Sequence, residues 1–138
     1  MARKRVIELT SSTATLSKNQ SGSLIVLNRA AGIVVTLPTA GRGLNYDFVV
    51  KTSVTSNTYT ISAGSSMRGT FAVSSASGVA PLRFQTTDLT ARVASMNGSQ
   101  SGGLISTRVN VVCDSDGVWT VTGIGVGNAP PVTPFGVT

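Results

Sequence analysis

Residues 21–43 read SGSLIVLNRAAGIVVTLPTAGRG: two apolar runs, LIVL and IVVTL, divided by a short polar break and closed by a proline and a glycine-flanked arginine. Three readings compete for this stretch: a membrane anchor, a phosphate-binding glycine loop, or two strands with no chemistry. Asn28, Arg29 and Gly32 cut it into pieces of strand length, and no apolar run in the chain approaches the roughly 18 residues that suggest a membrane span. Gly41-Arg42-Gly43 lacks the third glycine of a dinucleotide fingerprint, and no helical pattern follows to offer its N-terminus to a phosphate. Two neighbouring strands bounded by turns remain.

Alternation continues through most of the chain. In residues 46–51, YDFVVK, the side chains of Tyr46, Phe48 and Val50 share one face while Asp47 and Lys51 take the other, the period of a half-buried strand. Residues 52–57 read as a turn, after which Tyr59 and Ile61 continue the inward face on a returning strand. Leu89, Ala91 and Val93 alternate with Asp88, Thr90 and Arg92 ahead of Asn97-Gly98, a strong turn dipeptide. Ile105, Thr107, Val109, Val111 and Cys113 line one face of a longer strand, which Asp114, Ser115, Asp116 and Gly117 turn into VWTV at residues 118–121.

Residues 63–81 carry the weakest signal. They are rich in Ser, Gly and Ala around Phe71 and Val73, and read as loop, edge strand or both. Helical stripes are missing, and β-branched residues crowd the apolar runs. The pattern predicts an all-β fold: a single antiparallel β-sandwich, jelly-roll-like or barrel domain over residues 6–126. Residues 1–5 read as a basic N-terminal arm, and the proline-rich residues 127–138 as an extended C-terminal arm.

Composition narrows the function. Charged residues make up 12% of the 138, against about 25% in typical soluble domains. Eleven Lys and Arg oppose five Asp and Glu, a net charge of +6. A surface so poor in charge predicts cover by other protein, with a preference for acidic partners. The chain has no histidine and a single cysteine. That removes Ser-His-Asp and Cys-His catalysis, the common zinc sites and any internal disulfide. Cys113 aligns with an apolar strand face, as a structural thiol does. Asp114 and Asp116 lack the rest of a calcium loop, and Trp119 reads as core or subunit interface. Neither enzyme activity nor a cofactor or metal is expected.

Arg3, Lys4 and Arg5 cluster, while the other basic residues are scattered. The aromatic residues Tyr46, Phe48 and Tyr59 fall on core faces, so a nucleic-acid module lacks its usual stacking platform. The triplet Arg3, Lys4, Arg5 is therefore the candidate docking arm.

The string from Ser21 to Ser62 resembles a pattern of small tailed-phage virion proteins: Ser-Gly entering a strand, a loop ending Ala-Gly, a strand closing in Leu-Pro, a glycine turn, then an aromatic-x-Phe strand. Asp116-Gly117-Val118-Trp119-Thr120-Val121, followed by a glycine-rich strand and a proline-rich tail, extends the resemblance. The family named by it is the bacteriophage capsid decoration, or cement, proteins. That resemblance implies a jelly-roll-like β module, trimeric, on the capsid exterior of the virion, with the major capsid protein and its own copies as partners. The start, MARKRVIELT, is basic but no apolar signal core follows it, so a chain made in the host cytoplasm without a signal peptide is expected, with no membrane partner and with nucleic acid disfavoured as a partner. A tail or head-fibre module recognising host glycans is the alternative, and a small nucleic-acid-binding β-barrel the third.

Overall fold

The computed structural model describes residues 3–75, 78–115 and 117–137, and of Asp88 and Ser115 the backbone alone. These residues form ten strands: β1 (Val6–Leu9), β2 (Thr13–Thr15), β3 (Leu24–Asn28), β4 (Ile33–Thr36), β5 (Asn45–Thr52), β6 (Tyr59–Ser75), β7 (Leu82–Met96), β8 (Arg108–Ser115), β9 (Val118–Gly127) and β10 (Phe135–Gly136). One 3-10 turn, Lys18–Gln20, is the sole helical element among the described residues. All-β is correct.

Strand direction departs from expectation. β1, β3 and β5 pair in parallel, with Val6 opposite Leu24 and Leu24 opposite Asp47. The strands β2, β4 and β6 do the same, with Val34 between Thr13 and Thr60. Antiparallel ladders join β5 to β8, β8 to β9, β6 to β7 and β7 to β10. The sheet is therefore mixed rather than antiparallel. Parallel neighbours need a crossover, usually a helix. Here the chain crosses instead through a strand of the other ladder: β2 lies between β1 and β3, and β4 between β3 and β5. Period-2 alternation reports which face a residue takes and is blind to the partner's direction. For the same reason β6 does not return along β5, as expected, but pairs with β4.

Burial follows the alternation. Ile25, Leu27, Ile33, Val35, Tyr46, Phe48, Val50, Tyr59 and Ile61 are each at most 3% exposed and belong to one apolar cluster with Phe71, Val111 and Trp119. Each such side chain contributes roughly 1.5–3 kcal/mol by leaving water, which makes this cluster the main source of stability. Tyr59 adds a polar tie. Its hydroxyl accepts the Arg29 amide at 2.9 Å and donates to the Thr52 carbonyl at 2.6 Å, linking the ends of β3 and β5.

The segment with the weakest signal proves central. β6 continues unbroken through residues 63–75; beyond Ser62 it gives up β4 and from Ser66 runs parallel to β9, with β7 bonded to both halves. Small residues are there because the neighbours come close. Gly69 has φ +149°, and a Cβ on it would stand 1.8 Å from the Val121 carbonyl oxygen. Across the ladder, a Cβ on Gly123 or Gly125 would meet the Phe71 ring at 2.5 or 2.6 Å.

Two further expectations change. Asn97 does open a turn, its side-chain oxygen accepting the amides of Ser99, Gln100 and Ser101. The chain then loops to Arg108 before β8 begins, so Ile105 lies outside the strand and is 57% exposed. The C-terminal segment is extended but lies on the domain. Val132 donates to the Gln100 carbonyl, Ser95 to the Pro134 carbonyl, and β10 pairs with β7. Phe135 meets Phe71 edge-on at 6.5 Å. Val132, between the prolines, donates a backbone bond of the kind they cannot, and Pro134 accepts one.

Replacing Gly69 with Ala is expected to cost more than about 4 kcal/mol, since the clash is with backbone that cannot move aside. Tyr59→Phe leaves a part-buried amide and carbonyl without their partner and is expected to cost about 1–3 kcal/mol. Urea unfolding of both variants checks the order; a Gly69→Ala protein as stable as Tyr59→Phe refutes the close-approach explanation.

Candidate docking face

The strand registers determine which side chains stand together on the outward face. One cross-strand row is Asp47 on β5, Asn110 on β8, Thr122 on β9, Thr70 on β6 and Gln85 on β7. The next row, two residues along each strand, is Val49, Arg108, Ile124, Ala72 and Arg83. Between the rows, Phe48, Val109 and Phe71 turn inward and are at most 3% exposed. Most members of the two rows line a groove of about 560 Å3. Ile124, at the middle of the face, is 63% exposed. An apolar side chain so exposed at the centre of a rigid sheet, with an arginine on either side, is a surface that can bury area and attract negative charge together.

Charges around the groove are organised. Asp47 accepts Asn110 Nδ2 at 2.7 Å and forms an ion pair with Lys4. Partial burial pushes its carboxyl up, but the Lys4 and Asn110 hydrogen bonds, with the charges of Lys4 and Arg108, outweigh that and hold it below the usual value. Glu8, further along the arginine-bearing row, accepts Lys51 Nζ at 3.0 Å and Asn28 Nδ2 at 3.1 Å. Those bonds lower its carboxyl as well. Asp114 pairs with Arg68 at 3.2 Å on the same side of the sheet. Arg83 and Arg108 form no ion pair within 4.0 Å among the described residues.

The expected docking triplet, Arg3, Lys4 and Arg5, is exposed at all three positions, and two of its members also bond to the domain. Lys4 is engaged by Asp47, and Arg5 donates from Nε to Ser23 Oγ at 3.2 Å and from its guanidinium to the Asn19 carbonyl. The Arg5 carbonyl accepts the Leu24 amide at 2.8 Å, carrying the β1 ladder back by one residue. Two of the three thus hold β1 against the domain. Met1 and Ala2 lie outside the described residues.

Other candidates take structural places. Gly43 donates to the Cys113 carbonyl at 2.8 Å and Leu44 to the Gly41 carbonyl at 3.2 Å, so Gly41-Arg42-Gly43 is a turn. Cys113 is fully buried, its Sγ donating to the Val118 carbonyl at 3.2 Å. Trp119 is buried 6.1 Å from the Tyr46 ring. The reversal expected over Asp114 to Gly117 does fall between β8 and β9, but Asp114 and Ser115 belong to β8, and Asp116 lies outside the described residues. Comparison with known proteins finds no matching family model, no matching curated protein and no matching solved structure.

Asp47 makes a pH-dependent contribution. Its folded-state pKa is depressed, so its stabilisation is present above the unfolded value near 4 and disappears as pH falls below it. Asp47→Asn is expected to lower stability at pH 7 by up to about 1 kcal/mol, as a partly exposed pair allows. The difference from the parent should close as pH drops below about 4. A gap that stays constant from pH 7 to pH 3 in thermal melts assigns it to packing instead.

Proposed function

We propose that this chain is a non-enzymatic virion structural protein, binding the outside of a phage icosahedral capsid and reinforcing contacts between coat subunits. In this reading the folded mixed sheet is the jelly-roll-like or sandwich module of a decoration protein, assembled as a trimer on the major capsid protein. The observation that carries the docking role is the outward row Arg108, Ile124, Ala72, Arg83, an apolar patch set between two cations on a rigid sheet. The excess of +6 favours an acidic coat surface.

Aromatic placement favours protein docking over glycan or nucleic-acid recognition. Of the seven aromatic residues, Tyr46, Phe48, Tyr59, Phe71 and Trp119 are at most 1% exposed, and Phe84 and Phe135 are partly buried against the core. Sugar and base recognition both lean on exposed rings. The outward face offers aliphatic and cationic groups in their place.

Co-sedimentation of the purified protein with undecorated heads tests the reading, alongside light scattering for the oligomer. Saturable binding is expected. Ile124→Ser should weaken it by roughly tenfold or more, since covering that side chain supplies roughly 1.5–3 kcal/mol, while the melt stays unchanged because Ile124 is already exposed. Equal head binding by the variant removes this face from the interface.

A further inference from the structure

We infer that the groove accepts an extended acidic segment of a partner protein laid across the strands, with two carboxylates four residues apart and an apolar residue midway between them. The inference rests on the outward face being the docking face. Its geometry comes from the sheet itself. Arg108, Ile124, Ala72 and Arg83 stand on β8, β9, β6 and β7, one on each of four hydrogen-bonded strands. Three strand spacings of about 4.8 Å place the two arginine Cα atoms about 14 Å apart. An extended chain advances about 3.3–3.6 Å per residue, so positions i and i+4 span the same distance. Side chains alternate, so i, i+2 and i+4 all face the groove. The middle one falls over Ile124 and Ala72.

The neighbouring row completes the fit. Asn110, Thr122 and Thr70 lie beside the arginine row and line the same groove, offering donors and acceptors to the backbone of a chain crossing above them. Neither arginine is engaged by a carboxylate in an ion pair among the described residues, so both remain available for one. A single-stranded nucleic acid fits less well. Its backbone presents closely spaced phosphates, whereas the cations here are separated by apolar Ile124 and Ala72. The sheet face, not an open edge, does the binding, so the partner gains no added-strand ladder and specificity comes from charge spacing.

The test uses the full chain and short blocked peptides followed by NMR titration at low and high salt. The probe carries Glu-Thr-Leu-Thr-Glu within a Ser/Thr sequence. A control of equal composition has its glutamates three residues apart, which puts them on opposite sides, and a second control is an oligothymidylate. The matched peptide is expected to bind about tenfold more tightly than the mis-spaced one, with shifts centred on residues 70–72 and 122–124. In the double variant Arg83→Glu, Arg108→Glu, both sites being exposed, preference should switch to the Lys-Thr-Leu-Thr-Lys peptide. Equal binding of both glutamate spacings, tighter binding of the oligothymidylate, or no switch in the variant overturns the inference. Head binding by the parent protein without peptide selection also defeats it while leaving the capsid reading intact. Peptide selection without head binding defeats the capsid reading alone.

Discussion

The contact between Gly69 on β6 and the Val121 carbonyl on β9 sets the distance at which the parallel stack of the N-terminal half meets the β8–β9 hairpin. A side chain at position 69 would occupy the oxygen's place. With it absent, the strands approach, and Phe71 lies over Gly123 and Gly125 with the edge of Phe135 against it. Glycine weakens a strand through lost entropy and missing contacts. Here the large ring of Phe71 recovers burial that the glycines give up. The outward face inherits its composition from the same contact. Gly69 opposite Val121 places Ala72 opposite Ile124; a slip by one residue along β9 would turn Ile124 to the core and a glycine to the solvent.

Much of the fold was legible where large apolar residues alternate with polar ones. YDFVVK in β5 declared its faces, as did Tyr59 and Ile61, and the Asp114 to Gly117 turn announced the β8–β9 hairpin. The second half of β6 was illegible because its partners demand small residues, and small residues erase the alternation that marks a strand. Strand direction was illegible for another reason: inward and outward positions are the same whether the neighbour runs up or down. Chain ends posed a third problem. Proline pattern predicts an extended conformation but not the surface that the extended chain lies on, and nothing local to Lys4 reveals that Asp47 waits for it on β5.

For the candidate face, the sequence held half the information. Val109 and Val111 point inward, so Arg108 between them and Thr107 had to point out. That Arg108, Ile124, Ala72 and Arg83 form one row could not be read, because four separate registers decide it. Scattered cations in the chain become a spaced pair only once β7 and β8 are placed either side of β6 and β9. The N-terminal triplet was the more visible cluster because its members are adjacent in sequence. Adjacency in sequence did not tell that Lys4 and Arg5, while exposed, also bond to the domain.

The order of strands in space also bears on how the chain is made. In the backbone ladder of the described residues, β5 and β6, the last strands of the two parallel ladders, are joined through β8 and β9, which come late in the sequence. A ribosome adding about 5–20 residues per second would expose β1 to β6 for several seconds before β9 is complete. During that interval the cluster that holds Ile25, Ile33, Phe48 and Tyr59 lacks Val111 and Trp119, which β8 and β9 supply. Strands β3, β4 and β5 are short or carry polar residues at alternate positions, which limits the apolar length that any one of them can present to a neighbouring nascent chain. The late hairpin therefore acts as a clasp: the outward row that spans β8, β9, β6 and β7 comes into existence only once that hairpin is in place.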